Sequence, residues 1–109
     1  MIKILNWIRS KYNLPEVIED MAQSILCKQH SDVMSQEEKL FDSKLEPGWR
    51  EVIARCPNHS NSYQVELWIT EILDNSQIHR EAILGSKILS VGKAINKDMI
   101  YITIRGRVK

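Results

Sequence analysis

The chain has 109 residues, of which 43% are hydrophobic and 27% charged, with a formal net charge of +1. This length fits one domain, residues 1–109, with one modest core, and the composition is too apolar for a disordered chain. Fifteen Lys and Arg against fourteen Asp and Glu exclude a protein whose affinity rests mainly on neutralising many phosphates.

The segment from Met1 to Arg9 is apolar, but Asn6 and Arg9 interrupt it. It has neither the h-region nor the cleavage site of a secretory signal. No run reaches the ~20 apolar residues of a membrane span. The expectation is a cytoplasmic protein with no membrane partner.

Up to residue 48 the apolar period is helical. Ile4, Leu5, Ile8 and Tyr12 share one face of a first helix, with Trp7 at its flank. Asn13-Leu14-Pro15 ends it, and Pro15 suits the first turn of a second helix. Val17, Ile18, Met21, Ile25 and Leu26 would form the buried stripe of that helix. Ser35-Gln36-Glu37-Glu38 has the form of a capping box, opening a short third helix that carries Leu40, Phe41 and Leu45 inward. Glu46-Pro47-Gly48 stops it.

From Trp49 the period falls towards two. Trp49 to Arg55 predicts a strand, and the turn formers from Cys56 to Ser62 follow it. Tyr63, Val65, Leu67 and Ile69 alternate with Gln64, Glu66, Trp68 and Thr70, which predicts a half-buried strand. Gln77 to Leu84 fits helix or strand. Lys87 to Ile95 reads as strand, turned by Asn96-Lys97-Asp98 into a final strand where Ile100, Ile102, Ile104 and Val108 alternate with Tyr101, Thr103, Arg105 and Arg107. The predicted fold class is α+β. Two to three N-terminal helices, residues 1–48, pack on one face of an antiparallel β-meander of about four strands, residues 49–109.

The only two cysteines each precede a histidine by three residues, as Cys27-Lys28-Gln29-His30 and Cys56-Pro57-Asn58-His59. Cys27, His30, Cys56 and His59 make a four-ligand set of the kind that closes a structural zinc site. The zinc would tie the helical part to the start of the sheet. The alternative is two buried or adventitious thiols, two surface histidines and no cofactor. Cys56 with His59 is also a conceivable nucleophile–base pair, but no third, orienting group can be named for it.

Trp68, Tyr101, Thr103, Arg105 and Arg107 are expected together on the uncovered sheet face. Aromatic and arginine side chains are effective interface anchors. The function this implies is a non-enzymatic binding or regulatory module whose partner is another protein or a second copy of the chain. The same basic strand could instead stack bases and hold phosphates of a nucleic acid, against which the near-zero net charge weighs.

Overall fold

Four helices and a four-stranded mixed sheet make up the computed structural model, which describes residues 2–57 and 62–107. In chain order the elements are α1 (Ile2–Ser10), β1 (Ile18–Glu19), α2 (Met21–Glu37), β2 (Trp49–Pro57), α3 (Ser62–Asn75), α4 (Gln77–Leu84), β3 (Ile88–Asn96) and β4 (Met99–Arg107). The strand order is β1-β3-β4-β2. β4 pairs antiparallel with both β2 and β3, and β1 pairs parallel with β3 through Ile18↔Ile88. The fold is α+β as expected, but the sheet is mixed and the helices are interspersed among the strands.

β4 lies in the middle of the sheet, and its alternation serves two cores. Ile100, Ile102 and Ile104 point to one face, where they meet Val52 and Cys56 of β2 and Leu89 of β3. Leu5 and Ile8 of α1, Ile69 and Leu73 of α3, and Ala82 and Ile83 of α4 close that face. Tyr101, Thr103 and Arg105 point the other way, and α2 covers them. The expected single helical layer is therefore two layers. A strand buried between two different cores shows the same period of two as a half-exposed one, so sequence alternation does not separate them.

The two cores differ in chemistry. The first is a contiguous aliphatic cluster. Under α2 the inward residues are Ser24, Cys27, Ser31, Met34 and Ser35. These small side chains let the helix lie close to the sheet. A Cβ on Gly92 would come within 2.1 Å of the Lys28 backbone nitrogen. Polar groups in this layer are paired: Ser31 Oγ donates to the Gly92 carbonyl at 3.1 Å and sits 2.7 Å from Thr103 Oγ1, and Ser90 Oγ donates to the Asp20 carbonyl at 2.9 Å.

Three local expectations are corrected. Residues 15–20 do not open the second helix. Asn6 Oδ1 accepts from the Val17 amide, Ile18 joins the sheet, and Asp20 caps α2 by accepting from the Gln23 amide at 3.1 Å. Ser35 to Glu38 end a helix and do not start one. Glu38 adopts a left-handed conformation with φ 54°, and its amide reaches the Met34 and Ser35 carbonyls. Residues 40–46 contain no helix. Finally, residues 62–75 are helical, because Ile69, Ile72 and Leu73 meet the aliphatic core at helical spacing.

Arg9 fastens α1 to the end of α4. Its guanidinium is buried, and Nη1 donates to the carbonyls of Ile83, Leu84 and Ser86 at 2.8, 3.1 and 2.9 Å. Nε donates to the Pro15 carbonyl at 3.2 Å. The Ile83 and Leu84 carbonyls are among those that a helix C-terminus leaves without partners, so a side chain from residue 9 caps a helix that ends at residue 84.

Candidate functional site

α3 and α4 meet at a joint of one residue, Ser76, and the angle between them leaves a groove. Ser76 is extended, with φ −149° and ψ 121°, and its Oγ accepts from the His79 amide at 3.4 Å as the cap of α4. Arg80 Nη1 reaches back to the Leu73 carbonyl at 3.3 Å. That bond closes the end of α3 and holds the two helices as one corner. Ile69 and Leu73 anchor the same corner in the aliphatic core.

The groove is lined by Trp68, Glu71, Ile72, Asn75, Ser76 and His79 and encloses about 380 Å3. This lies within the roughly 300–1,000 Å3 of small-ligand pockets. Glu71, Ile72 and Asn75 lie three, four and seven residues beyond Trp68 along α3, so the four share a face. Trp68 is 37% exposed. Its indole and Ile72 offer apolar surface. The Asn75 amide, the His79 ring and the Glu71 carboxylate add hydrogen-bonding groups on the same lining. Such a site can seat a large apolar side chain and orient a polar group beside it.

Trp68 is thus accessible, but on a helix. Tyr101, Thr103 and Arg105, expected on the same open face, are 2%, 0% and 7% exposed beneath α2. Arg105 is engaged there. Its Nε donates to Glu51 Oε2 at 2.9 Å, Nη1 to Gln23 Oε1 at 3.2 Å and Nη2 to Ser43 Oγ at 2.8 Å. The Ser43 amide donates to Glu51 Oε1 at 3.0 Å, and the Ser43 hydroxyl also bonds Glu51. Arg107 alone of the basic pair is exposed, 5.9 Å from the Trp49 ring centre. Of the strand residues expected on an open face, β4 therefore presents Arg107, beside Trp49 of β2.

The sheet separates the two cysteines. Cys27 lies under α2, where its thiol is 3.8 Å from the Ser90 carbonyl. Cys56 lies in the aliphatic core on the other face. His30 Nε2 is 2.7 Å from the Phe41 carbonyl, and its ring meets Phe41 edge-on. His59 lies outside the described residues. Among the described residues no group of three or more His, Cys, Asp or Glu side chains is placed to hold a metal ion. A single tetrahedral centre needs both sulfurs about 2.3 Å from one ion, and thiols on opposite faces of a sheet do not meet that condition. Burial pushes the Cys27 thiol up to about 11 and raises Cys56 as well. That is the reverse of an activated nucleophile.

Sequence reasoning singled out Trp68 but missed Glu71, Ile72, Asn75 and Ser76 as its neighbours. The signal was the spacing 68, 72, 75 and 79, which puts these residues on one side once residues 62–84 are read as helical and not as strand.

No protein-family model matches the chain, and no curated protein sequence matches it. Solved structures share its architecture, two of them as follows. An outer surface protein from Borrelia burgdorferi superposes with a TM-score of 0.70 at 15% identity, over 99% of this chain and 90% of that one. An extracellular protein containing an SCP domain, from Bacillus anthracis, superposes with a TM-score of 0.60 at 23% identity, over 98% of this chain. This chain spans 40% of that protein's length. At these identities the likeness defines the fold class alone, an α+β fold shared with surface and extracellular proteins. No helix among the described residues is long and apolar enough to cross a membrane.

Proposed function

We propose that the protein is a non-enzymatic binding module that takes an apolar side chain of a protein partner in the α3–α4 groove, with Trp68 as the wall. The observation that supports this is the make-up of the groove. A partly exposed tryptophan and an isoleucine line it together with an amide, a carboxylate and an imidazole. Partly sheltered tryptophans ringed by polar groups are the residues on which interface energy concentrates. The partner segment would carry an aromatic or large aliphatic residue beside a hydrogen-bonding group.

Peptides selected from a displayed random library against the immobilised protein would test this. The expected result is enrichment of peptides with such an anchor, amide resonance shifts confined to residues 66–80, and affinity reduced about tenfold or more by Trp68→Ala. Glu71→Arg, at an exposed position, obstructs the rim without touching the core and should reduce the same binding. Selected peptides that bind both variants as well as the wild type, or that map to another surface, would overturn the assignment.

A further inference from the structure

We infer that the outer face of α2 is the contact surface of a two-fold symmetric dimer of this chain. α2 is inverted relative to an ordinary amphipathic helix. Its small polar residues face the sheet. Ala22, Ile25, Leu26, Gln29, Val33 and Gln36 fall on a stripe pointing away from it at helical spacing. Ile25 is 59% exposed and Leu26 and Val33 are each 44% exposed, while Met21, 64% exposed, borders the stripe. None of the six stripe residues is charged. Single exposed apolar residues are ordinary, whereas a contiguous row marks an interaction surface.

A second copy of α2 fits the stripe. Gln29 is the middle residue of this 17-residue helix. If two α2 helices lie antiparallel with the two-fold axis through Gln29, Ile25 faces the partner's Val33 and Ala22 faces the partner's Gln36. Gln29 itself meets the partner's Gln29. A carboxamide carries both donor and acceptor, so two of them related by a two-fold axis satisfy each other. One such residue in an apolar seam fixes register.

The charges agree with this pairing. Lys28 and Asp32 form an ion pair on one flank of α2. In the antiparallel arrangement that flank meets its own copy, which brings Lys28 beside the partner's Asp32 in a neutral cluster of four alternating charges. Each helix N-terminus also comes near the partner's C-terminus, where the dipoles attract. An anionic lipid surface is a poorer match. It selects for basic residues along the polar flanks, and here Lys28 stands against Asp32, Glu37 and Glu38. The face lies across the sheet from the α3–α4 groove, so this inference and the binding function are independent.

Sedimentation velocity of the full chain over about 1–200 µM, where a micromolar interface populates both states, should show a reversible monomer–dimer equilibrium. Gln29→Cys under mild oxidation should form a disulfide-linked dimer, because the axis brings position 29 of both copies together while Cys27 and Cys56 are buried. Ile25→Asp and Val33→Asp, each at an exposed position, should weaken dimerisation at least tenfold with unchanged circular dichroism. A monomer at every concentration would overturn the inference, as would a dimer indifferent to both substitutions and to oxidation at position 29. So would a monomer that binds phosphatidylserine vesicles through Ile25 and Val33.

Discussion

Two buried arginines have structural roles that their type would not suggest. Arg9 is a surface-type residue in an apolar N-terminal helix, yet it supplies the cap for α4. Burial draws its guanidinium below the ordinary arginine value. Removing it leaves four carbonyls, those of Pro15, Ile83, Leu84 and Ser86, without their donor, and unsatisfied buried groups cost ~1–3 kcal/mol each before water re-enters. Arg9→Met, which keeps the apolar stem, should therefore lower stability by about 2–4 kcal/mol in urea unfolding. A change under about 0.5 kcal/mol would mean that water replaces the guanidinium without loss.

Arg105 and Glu51 form the second buried group, a charge pair with Ser43 bonded to both. Burial by itself would raise the Glu51 carboxyl. The Ser43 hydroxyl and amide and the Arg105 guanidinium outweigh it and hold the group below its ordinary value of 4.5. A depressed folded value means that the unfolded chain binds the proton first as pH falls. The contribution is thus complete above the ordinary carboxyl value and disappears as pH drops through the lower folded one. Urea midpoints of wild type and Glu51→Gln should differ at about pH 7, and the gap should narrow progressively as the pH falls below 4.5. A gap that stays constant down to about pH 3 would contradict this role.

At the scale of elements, what the sequence made legible follows how local the signal is. The β3–β4 hairpin was legible because Asn96-Lys97-Asp98 and the flanking alternation are contiguous, and β2 because Trp49 follows a Pro-Gly break. α3 was not, because the apolar residues of 63–69 alternate over a stretch too short to distinguish periods of 2 and 3.6. The spacing of Ile69, Ile72 and Leu73 decides for helix only with the whole 14-residue segment in view. Of the candidate sites, Trp68 was found on the wrong element, and the paired Cys-x-x-His spacing did not bring the two sulfurs to one face.

α2 shows why outward and inward can be misassigned. Ile25 and Leu26 look like core, and Ser24 and Ser31 look like surface, because burial normally follows size and polarity. Close approach reverses the rule here. Small residues and Gly92 bring the helix against the strand, and the larger ones have no room beneath it. Gly92→Ala places a methyl group against the Lys28 backbone, which must move. Overpacking of this kind costs ~1–3 kcal/mol, so the melting temperature should fall by roughly 5–15 °C. A variant with unchanged Tm would show that α2 can slide at no cost.

For the whole molecule, the sheet is a partition. One side is a dry aliphatic core carrying the α3–α4 corner and its groove. The other is a polar layer where hydroxyls, a buried ion pair and the irregular segment 39–46 hold a single helix. Substitutions on the two sides should therefore act by different routes. Aliphatic truncations beneath α1, α3 and α4 lose burial and leave cavities, whereas changes beneath α2 strand hydrogen-bonding partners.

The central place of β4 also bears on the order in which the protein comes into being. β4 is the last of the eight elements among the described residues, yet both β2 and β3 pair with it and both cores are built on its side chains. During synthesis α1, α2, α3 and α4 emerge with no sheet to rest on, and the Arg9 clasp waits for residue 86. The nascent chain carries its apolar stripes uncovered until residues 99–107 arrive. Such intermediates are the ones that aggregate or engage chaperones, so the interval before the last strand is made is this protein's period of greatest exposure.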